Sequence, residues 1–348
     1  MSEESIQPQP YDEMLSLVGA LPDQLTESAR FVPQLDSLPQ RPPRIWICGM
    51  GGSAIAGELL AACGELRLPE LGVHRAYGAP RLDLDGALVV FSSYSGQTEE
   101  VLSAYEACAS SGRAITRLVL SGGGRLAERA GADGVPVLRL PAGLPPRAAL
   151  GWGVGALLHC FARLGIAQGV EAALAEADTV LRAAALELGP AAESASNPAR
   201  RLARRLYGKL PLLYAGCPLT TAAAWRWKAQ INENSKALAY VASLPELDHN
   251  EIVGFGAASG LPERCFILAL RDRQEHPRVH RRFMVTEEIL ASSVHGIESL
   301  ESRGSGELAR ILSLAQFGDY LSIYLAQAYG VDPVAIEPID RLKGRLSE

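Results

Sequence analysis

The stretch RIWICGMGGSAIAGELLAACGEL, Arg44 to Leu66, reads as three pieces of structure in succession. RIWICGM is a short apolar run bounded by Pro43 and Gly49, as a buried strand would be, and a glycine turn follows it. SAIAGELLAACGEL then has the apolar spacing of a helix. Working outward, the runs LGVHRAY, ALVVFSS, TRLVLSG and VPVLRL repeat the strand signal, and helical stretches such as TEEVLSAYEACASS and GRLAERAGA lie between them. Strands that alternate with helices predict a parallel sheet covered by helices.

Upstream, residues 1–10 read as a loose tail, and a helical pattern runs from Tyr11 to Arg30 until Pro33, Pro39, Pro42 and Pro43 end it. Downstream come a long apolar helix, RAALGWGVGALLHCFARLG, and an alanine-rich amphipathic one, GVEAALAEADTVLRAAALELG. KLPLLYAG then repeats the pattern of the first strand, and CFILALRD resembles ALVVFSS in its position. The second half therefore reads as a degenerate copy of the first. The expected fold class is α/β, with two doubly wound parallel-sheet lobes, each an αβα sandwich, over residues 11–180 and 181–348.

Composition narrows the possible functions. At 348 residues, 48% hydrophobic and 21% charged, the chain has the makings of two sizeable cores. Its 33 basic and 39 acidic residues give a net charge of −6, which argues against a nucleic-acid partner. No run reaches the roughly 18 apolar residues of a membrane span, and MSEESIQPQP lacks the basic and apolar regions of a secretion signal. The six cysteines, at 48, 63, 108, 160, 217 and 265, form no CxxC pair and read as reduced core residues. A cytoplasmic location is expected.

In a parallel sheet, ligands sit beyond the carboxyl ends of the strands, where loops open into helix N-termini. ICGMGGSAIAG and FSSYSGQTEE both fall at such ends and bring Gly51, Gly52, Ser53, Ser93, Ser95 and Thr98 with them. Phosphate fits such a place, because helix N-termini present unpaired N–H donors and partial positive charge, and hydroxyls add donors without bulk. Gly51, Gly52 and Gly96 would let the backbone approach closely. A plainer reading makes Ser53 and Thr98 helix caps. GMGGSA also half-matches a dinucleotide fingerprint, but LGVHRAY has no acidic residue to hold a ribose, so no nicotinamide cofactor is expected.

GMGGSAIAG together with SSYSGQTEE resembles the sugar isomerase (SIS) domain, a flavodoxin-like fold, and the two-lobed layout resembles the bifunctional phosphoglucose/phosphomannose isomerase family. PPRAALGW (145–152), NENSK (232–236), LPELDHNEIVGF (244–255) and the terminal IDRLKGRL extend the match over nearly the whole chain. The resemblance implies an aldose–ketose isomerase acting on glucose 6-phosphate, with mannose 6-phosphate as a further substrate. It also implies a homodimer whose sites lie at the two-chain interface. It assigns catalytic roles to Glu233 and His249, with Lys343 assisting ring opening and Arg147 stabilising negative charge.

The chemistry suits these residue types. Isomerisation opens the sugar ring and carries a proton between C1 and C2 through an enediol, so it needs a base and a ring-opening acid and no metal. A carboxylate such as Glu233 can shuttle the proton, and histidine, which changes charge near neutrality, can serve the ring oxygen. Each candidate has a structural alternative: an i,i+3 pair of Glu233 with Lys236, a structural loop role for His249, a helix flank for Arg147 and a solvated helix for Lys343. His276 and His280 form an HxxxH pair, but Pro277 and the neighbouring arginines point to a solvated helix start and not a metal site. Gln97, Trp152 and the apolar segment Val334, Ala335 and Ile336 depart from the family pattern, and the last bears on acceptance of mannose. A non-catalytic sugar-phosphate sensor is the alternative function, though a sensor has no need of Glu233 and His249. The second lobe has no GGS or SxSGxT at GCPLTTA or ALRDRQE, so one phosphate site per chain is expected.

Overall fold

The computed structural model describes residues 10–32, 35, 38, 41–81, 84–256 and 260–346. The tail expected over 1–10 falls outside these residues except for Pro10, and so do Pro33 and Pro39. The single helix expected from Tyr11 to Arg30 is divided into α1 (Pro10–Gly19) and α2 (Leu21–Glu27), with Pro22 in the first turn of α2, where a missing N–H costs nothing. Next come β1 (Arg44–Gly49), α3 (Gly51–Ala61), β2 (Glu70–His74), β3 (Leu88–Ser92), α4 (Glu99–Ala109), β4 (Thr116–Ser121), α5 (Gly124–Ala132), β5 (Val137–Arg139), α6 (Leu150–Arg163) and α7 (Val170–Leu188). The remainder is α8 (Pro198–Leu206), β6 (Leu210–Ala215), α9 (Pro218–Ser235), β7 (Tyr240–Ser243), α10 (Glu251–Gly254), β8 (Cys265–Arg271), α11 (Pro277–Leu290), β9 (Gly296–Glu301), α12 (Glu307–Tyr329) and α13 (Glu337–Leu346).

The chain divides into two compact units. The N-terminal unit comprises Ala20–Arg182 with Arg303–Ser313, and the C-terminal unit comprises the residues up to Gly19 with Ala183–Ser302 and Leu314–Glu348. The N-terminal unit holds a parallel sheet in the order β2-β1-β3-β4-β5. Strand order reverses between β1 and β3, the point at which a doubly wound sheet opens a crevice at its carboxyl edge. All five residues of β3 are buried, as a central strand covered on both faces requires. Phe91 packs edge-on to Tyr105 at 5.0 Å in the core beneath α4.

The C-terminal unit holds a four-stranded parallel sheet, β7-β6-β8-β9, which repeats the order of the first four strands of the other sheet. The sequence pattern reveals β6 and β8 but not β7 and β9. β7 has only four residues, and β9 (GIESLE) is an edge strand with no buried position. Helix α9 is clamped to α12 by a buried ion pair: Arg226 donates through Nε and Nη2 to Asp319 at 2.9 and 2.6 Å, and Gln230 donates to the same carboxylate at 2.9 Å. Beside it, the Trp227 indole donates to the Leu314 carbonyl at 2.7 Å and lies so close to Gly318 that a Cβ there would meet the ring at 2.3 Å.

No helix among the described residues is long and apolar enough to cross a membrane. All six cysteines are free thiols, and five are buried, as expected of reduced core residues. Burial pushes the Cys108 thiol up to about 11.

Burial raises the Asp319 carboxyl above its usual range even against the pull of Arg226, so the clamp depends on both partners being present. Asp319→Ala, which strands a buried guanidinium, is expected to cost about 3–5 kcal/mol in chemical denaturation. Replacing Arg226 and Asp319 together by apolar residues should recover most of that loss. A loss below about 1 kcal/mol for the single change would show that the clamp does not hold α9.

Candidate active site

The carboxyl edge of the first sheet is built from backbone packed on backbone. Gly96 has φ +65, and a Cβ placed there would lie 1.8 Å from the Gly123 carbonyl oxygen. Gly124, at φ +70, would bring a Cβ to 2.4 Å from the Ser95 carbonyl oxygen. The loop after β3 therefore nests against the Gly122–Gly124 turn after β4, and only glycine allows so close an approach. The Ser121 hydroxyl stitches the two together by donating to the Ser93 carbonyl at 2.6 Å and the Gly123 carbonyl at 2.8 Å. The run SGGG (121–124) was not singled out in the sequence, because its service to the serine loop is a contact across the sheet.

Within this frame the hydroxyls take distinct parts. Ser93 is buried, and its Oγ meets the Thr98 Oγ1 at 2.7 Å. Ser95 is exposed and accepts from the Gln97 N–H at 3.2 Å. The Ser53 hydroxyl accepts from the Tyr94 N–H at 3.2 Å, and the Ser92 hydroxyl donates to the Ser53 carbonyl at 3.0 Å, which ties the loop after β1 to the loop after β3. Neither Ser53 nor Thr98 caps its helix: α3 is flanked by Met50, and Thr98 flanks α4 without a side-chain cap bond. Two eleven-residue helices thus begin at the β1/β3 switch point, α3 packed on the Ile47 face of the sheet and α4 on the Cys48 and Phe91 face, which places their first N–H groups at its carboxyl edge. Gly51, the first residue of α3, adopts φ +49.

Arg147 joins this edge. It sits in a short 3-10 turn, Pro146–Ala148, only 4% exposed, and a Cβ on Gly52 would lie 3.3 Å from the Pro146 carbonyl oxygen and 3.6 Å from the Arg147 Cα. Gln24 fixes the turn by donating to the Ala148 carbonyl at 3.1 Å. Gly52, Ser53, Ser92, Tyr94 and Pro146 line one small recess here.

Glu233, His249 and Lys343 belong to the C-terminal unit. In NENSK, Asn234 donates to the Ser322 hydroxyl at 2.8 Å and Ser235 to the Ser322 carbonyl at 2.6 Å, so these two residues anchor the end of α9 on α12. Asn232 accepts from the Ala239 N–H at 3.2 Å and turns the chain into β7. Lys236 closes the helix in the left-handed conformation, and its ammonium donates to the Glu233 carbonyl at 2.7 Å, favourable for a cation at a helix C-terminus. The motif holds Glu233 half-buried at a fixed point on the last turn.

ELDHNEI is braced in a similar way. Asp248 accepts from Arg282 at 2.7 Å and from Thr286 at 2.8 Å on α11, Leu247 is buried in the core, and Glu251 accepts from the Tyr214 hydroxyl at 2.7 Å. These contacts hold the 3-10 turn Glu246–His249 with its imidazole exposed. Lys343 lies exposed on α13. A cavity of about 420 Å³ beside β6 and β7, lined by Leu212, Tyr214, Tyr240, Glu251 and Phe255 among others, contains none of the predicted site residues.

The carboxyl edge of the second sheet differs from that of the first. After β8, Arg271 donates to the buried Glu275 at 3.0 Å, Glu275 accepts from the Asp272 N–H at 2.9 Å, and Asp272 accepts from the Ser302 hydroxyl at 2.6 Å. Carboxylates and their partners stand where the first sheet presents hydroxyls, an arrangement that repels phosphate. His276 accepts from the Arg278 N–H at 3.1 Å and caps α11, the helix start anticipated for the HxxxH pair.

Gly96→Ala is expected to destabilise the protein by about 2 kcal/mol or more in urea denaturation, from left-handed strain plus the clash with Gly123. Gly131→Ala, in the interior of α5 with no atom within 4 Å of its Cβ, serves as the control and should be neutral or stabilising. Equal effects at the two glycines would refute the nested-loop account.

Residues 195–346 match the family described as the bacterial phospho-glucose isomerase C-terminal SIS domain. Over 307 residues the chain is 39% identical to a bifunctional phosphoglucose/phosphomannose isomerase of Caldicellulosiruptor bescii, covering 88% of this chain and 90% of that one. A protein of the same name from Aquifex aeolicus is 36% identical over 307 residues, covering 87% and 90%. The fold is similar to that of a glucose-6-phosphate isomerase like protein from Thermus thermophilus, with a TM-score of 0.60 over 95% of this chain and 99% of that one at 21% identity. With glycine–serine loops at the switch point and relatives matched over most of their length, the chain belongs to the bifunctional phosphoglucose/phosphomannose isomerase family.

Proposed function

We propose that this protein interconverts glucose 6-phosphate and mannose 6-phosphate with fructose 6-phosphate by ring opening and proton transfer through an enediol. The two aldoses differ only in configuration at C2, and the enediol has lost that configuration, so one intermediate leads to both. The observation that carries the reading is the convergence of the Gly51–Ser53 and Ser93–Thr98 loops at the β1/β3 switch point with Arg147 beside Gly52. In this reading the N-termini of α3 and α4, with Ser53, Ser95 and Thr98, hold the phosphate. Ser93 supports Thr98 from below. Arg147, a permanent cation held in a dry setting, stabilises the enediolate, where low dielectric makes its charge most effective.

Glu233 carries the proton between C1 and C2, His249 exchanges a proton with the ring oxygen, and Lys343 assists ring opening. Glu233, His249, Lys343 and Arg147 together supply what this chemistry needs without a metal. We propose a homodimer as the working form, with His249 reaching the neighbour's site. In support, the segment around His249 exposes Tyr240, Val253 and Leu261, large apolar side chains that a partner surface would cover.

Glu233→Gln keeps the shape of the side chain and removes the base. Turnover of fructose 6-phosphate is expected to fall by about 10²- to 10⁴-fold, and exchange of its C1 proton with solvent, followed by NMR, should disappear with it. Near-normal exchange would remove Glu233 from the mechanism. Light scattering of the active protein is expected to give the mass of two chains. An active preparation containing monomer alone would refute the dimer.

A further inference from the structure

Tyr94, in the serine loop, has atoms bonded to the loops after β1, β4 and β5 at the carboxyl edge of the first sheet. Its backbone N–H donates to the Ser53 hydroxyl at 3.2 Å, on the loop after β1. Its carbonyl accepts from the Gly122 N–H at 2.9 Å, on the loop after β4. Its side chain spans to the loop after β5, where the phenol donates to the Pro141 carbonyl at 2.5 Å and accepts from the Leu144 N–H at 3.0 Å. The last two bonds hold the segment that leads through Pro145 and Pro146 into Arg147. The phenol uses its donor and its acceptor at once on backbone groups only three residues apart, which fixes both the position and the direction of that segment. Nothing between Leu144 and Arg147 adds much slack, because Pro145 and Pro146 each fix φ near about −65°.

From this geometry we propose that Tyr94 is a positioning residue for the isomerase reaction: its phenol sets the place of the Arg147 guanidinium relative to the phosphate-holding loops. This rests on the role given to Arg147 above. The Ser53, Ser93 and Thr98 hydroxyl contacts do not pass through the phenol, so phosphate affinity and the placement of Arg147 are separable through this one oxygen atom. A tyrosine that merely filled space would act through its ring, which phenylalanine supplies equally well. Half-burial raises the pKa of the phenol, so it remains a donor at all working pH values.

The test is a double-mutant cycle of Tyr94→Phe and Arg147→Ala, read as kcat and KM for fructose 6-phosphate, Ki for inorganic phosphate, and hydrogen exchange at the Leu144 amide. Tyr94→Phe is expected to lower kcat about ten-fold or more, since displacements of an ångström at such a site cost about that or more. KM and the phosphate Ki should stay within about two-fold, and the Leu144 amide should lose protection while amides of β1 and β3 keep theirs. In the Arg147→Ala background, Tyr94→Phe should have little further effect on kcat, because the two changes interrupt the same interaction.

If Arg147→Ala lowers kcat but Tyr94→Phe does not, the positioning role is overturned and the reading of Arg147 stands. Fully additive losses, or a loss confined to KM and the phosphate Ki, overturn it as well. If Arg147→Ala retains normal kcat, the catalytic reading of Arg147 fails and the proposal fails with it.

Discussion

The loop after β3 can sit where it does only because Gly96 has no side chain. Its Cα lies so close to the Gly123 carbonyl that the smallest side chain would place a carbon 1.8 Å from that oxygen. The approach turns two flexible turns into one rigid body, stitched by Ser121 and reinforced by Gly124 on the opposite side. The loops after β1 and β5 are tied to that body through Tyr94. Ser53 bonds to the N–H of Tyr94, the Tyr94 phenol holds the chain after β5, and Gly52 admits Pro146 and Arg147. The chemical consequence is a row of donors fixed before any ligand arrives, the condition under which hydroxyl and N–H groups stabilise an anion most effectively.

The C-terminal unit solves a different problem with a different device. NENSK and ELDHNEI each carry one proposed catalytic side chain, and the surrounding residues hold the backbone that bears it. Asn234 and Ser235 lock the end of α9 to α12 behind Glu233, and Asp248 locks the turn of His249 to α11. Further up α9, the Arg226–Asp319 pair makes the helix a rigid rod, with both partners nearly inaccessible to water. The carboxyl edge of its own sheet is closed by Arg271, Glu275 and Asp272, so the duplicated lobe keeps the strand order of its counterpart and loses the cradle.

How much of this was legible in the sequence follows from how local each signal is. The five strands of the first sheet are visible because β3 and its neighbours form apolar runs between turn residues. β7 and β9 are not visible, since a four-residue strand and a polar edge strand carry too little pattern. The serine and glycine loops stand out as composition, yet which hydroxyl faces outward depends on contacts across the sheet: Ser93 and Ser95 are two residues apart, and one is buried while the other is exposed. The Arg226–Asp319 clamp joins residues 93 positions apart, and nothing near either one announces it. Glu233 and His249 were reached through the resemblance of whole motifs, because a lone glutamate on a helix and a lone histidine in a turn have no spacing of their own to set them apart.

The claim on which the account turns is that the nested loops at the β1/β3 switch point receive the phosphate group of the sugar. A crystal structure of the protein soaked with fructose 6-phosphate tests it directly. The account predicts the phosphate between the N-termini of α3 and α4, within hydrogen-bond distance of the Ser53, Ser95 or Thr98 hydroxyls and the first N–H groups of those helices. A phosphate bound at the edge closed by Arg271 and Glu275, or in the cavity beside β6 and β7, would contradict it.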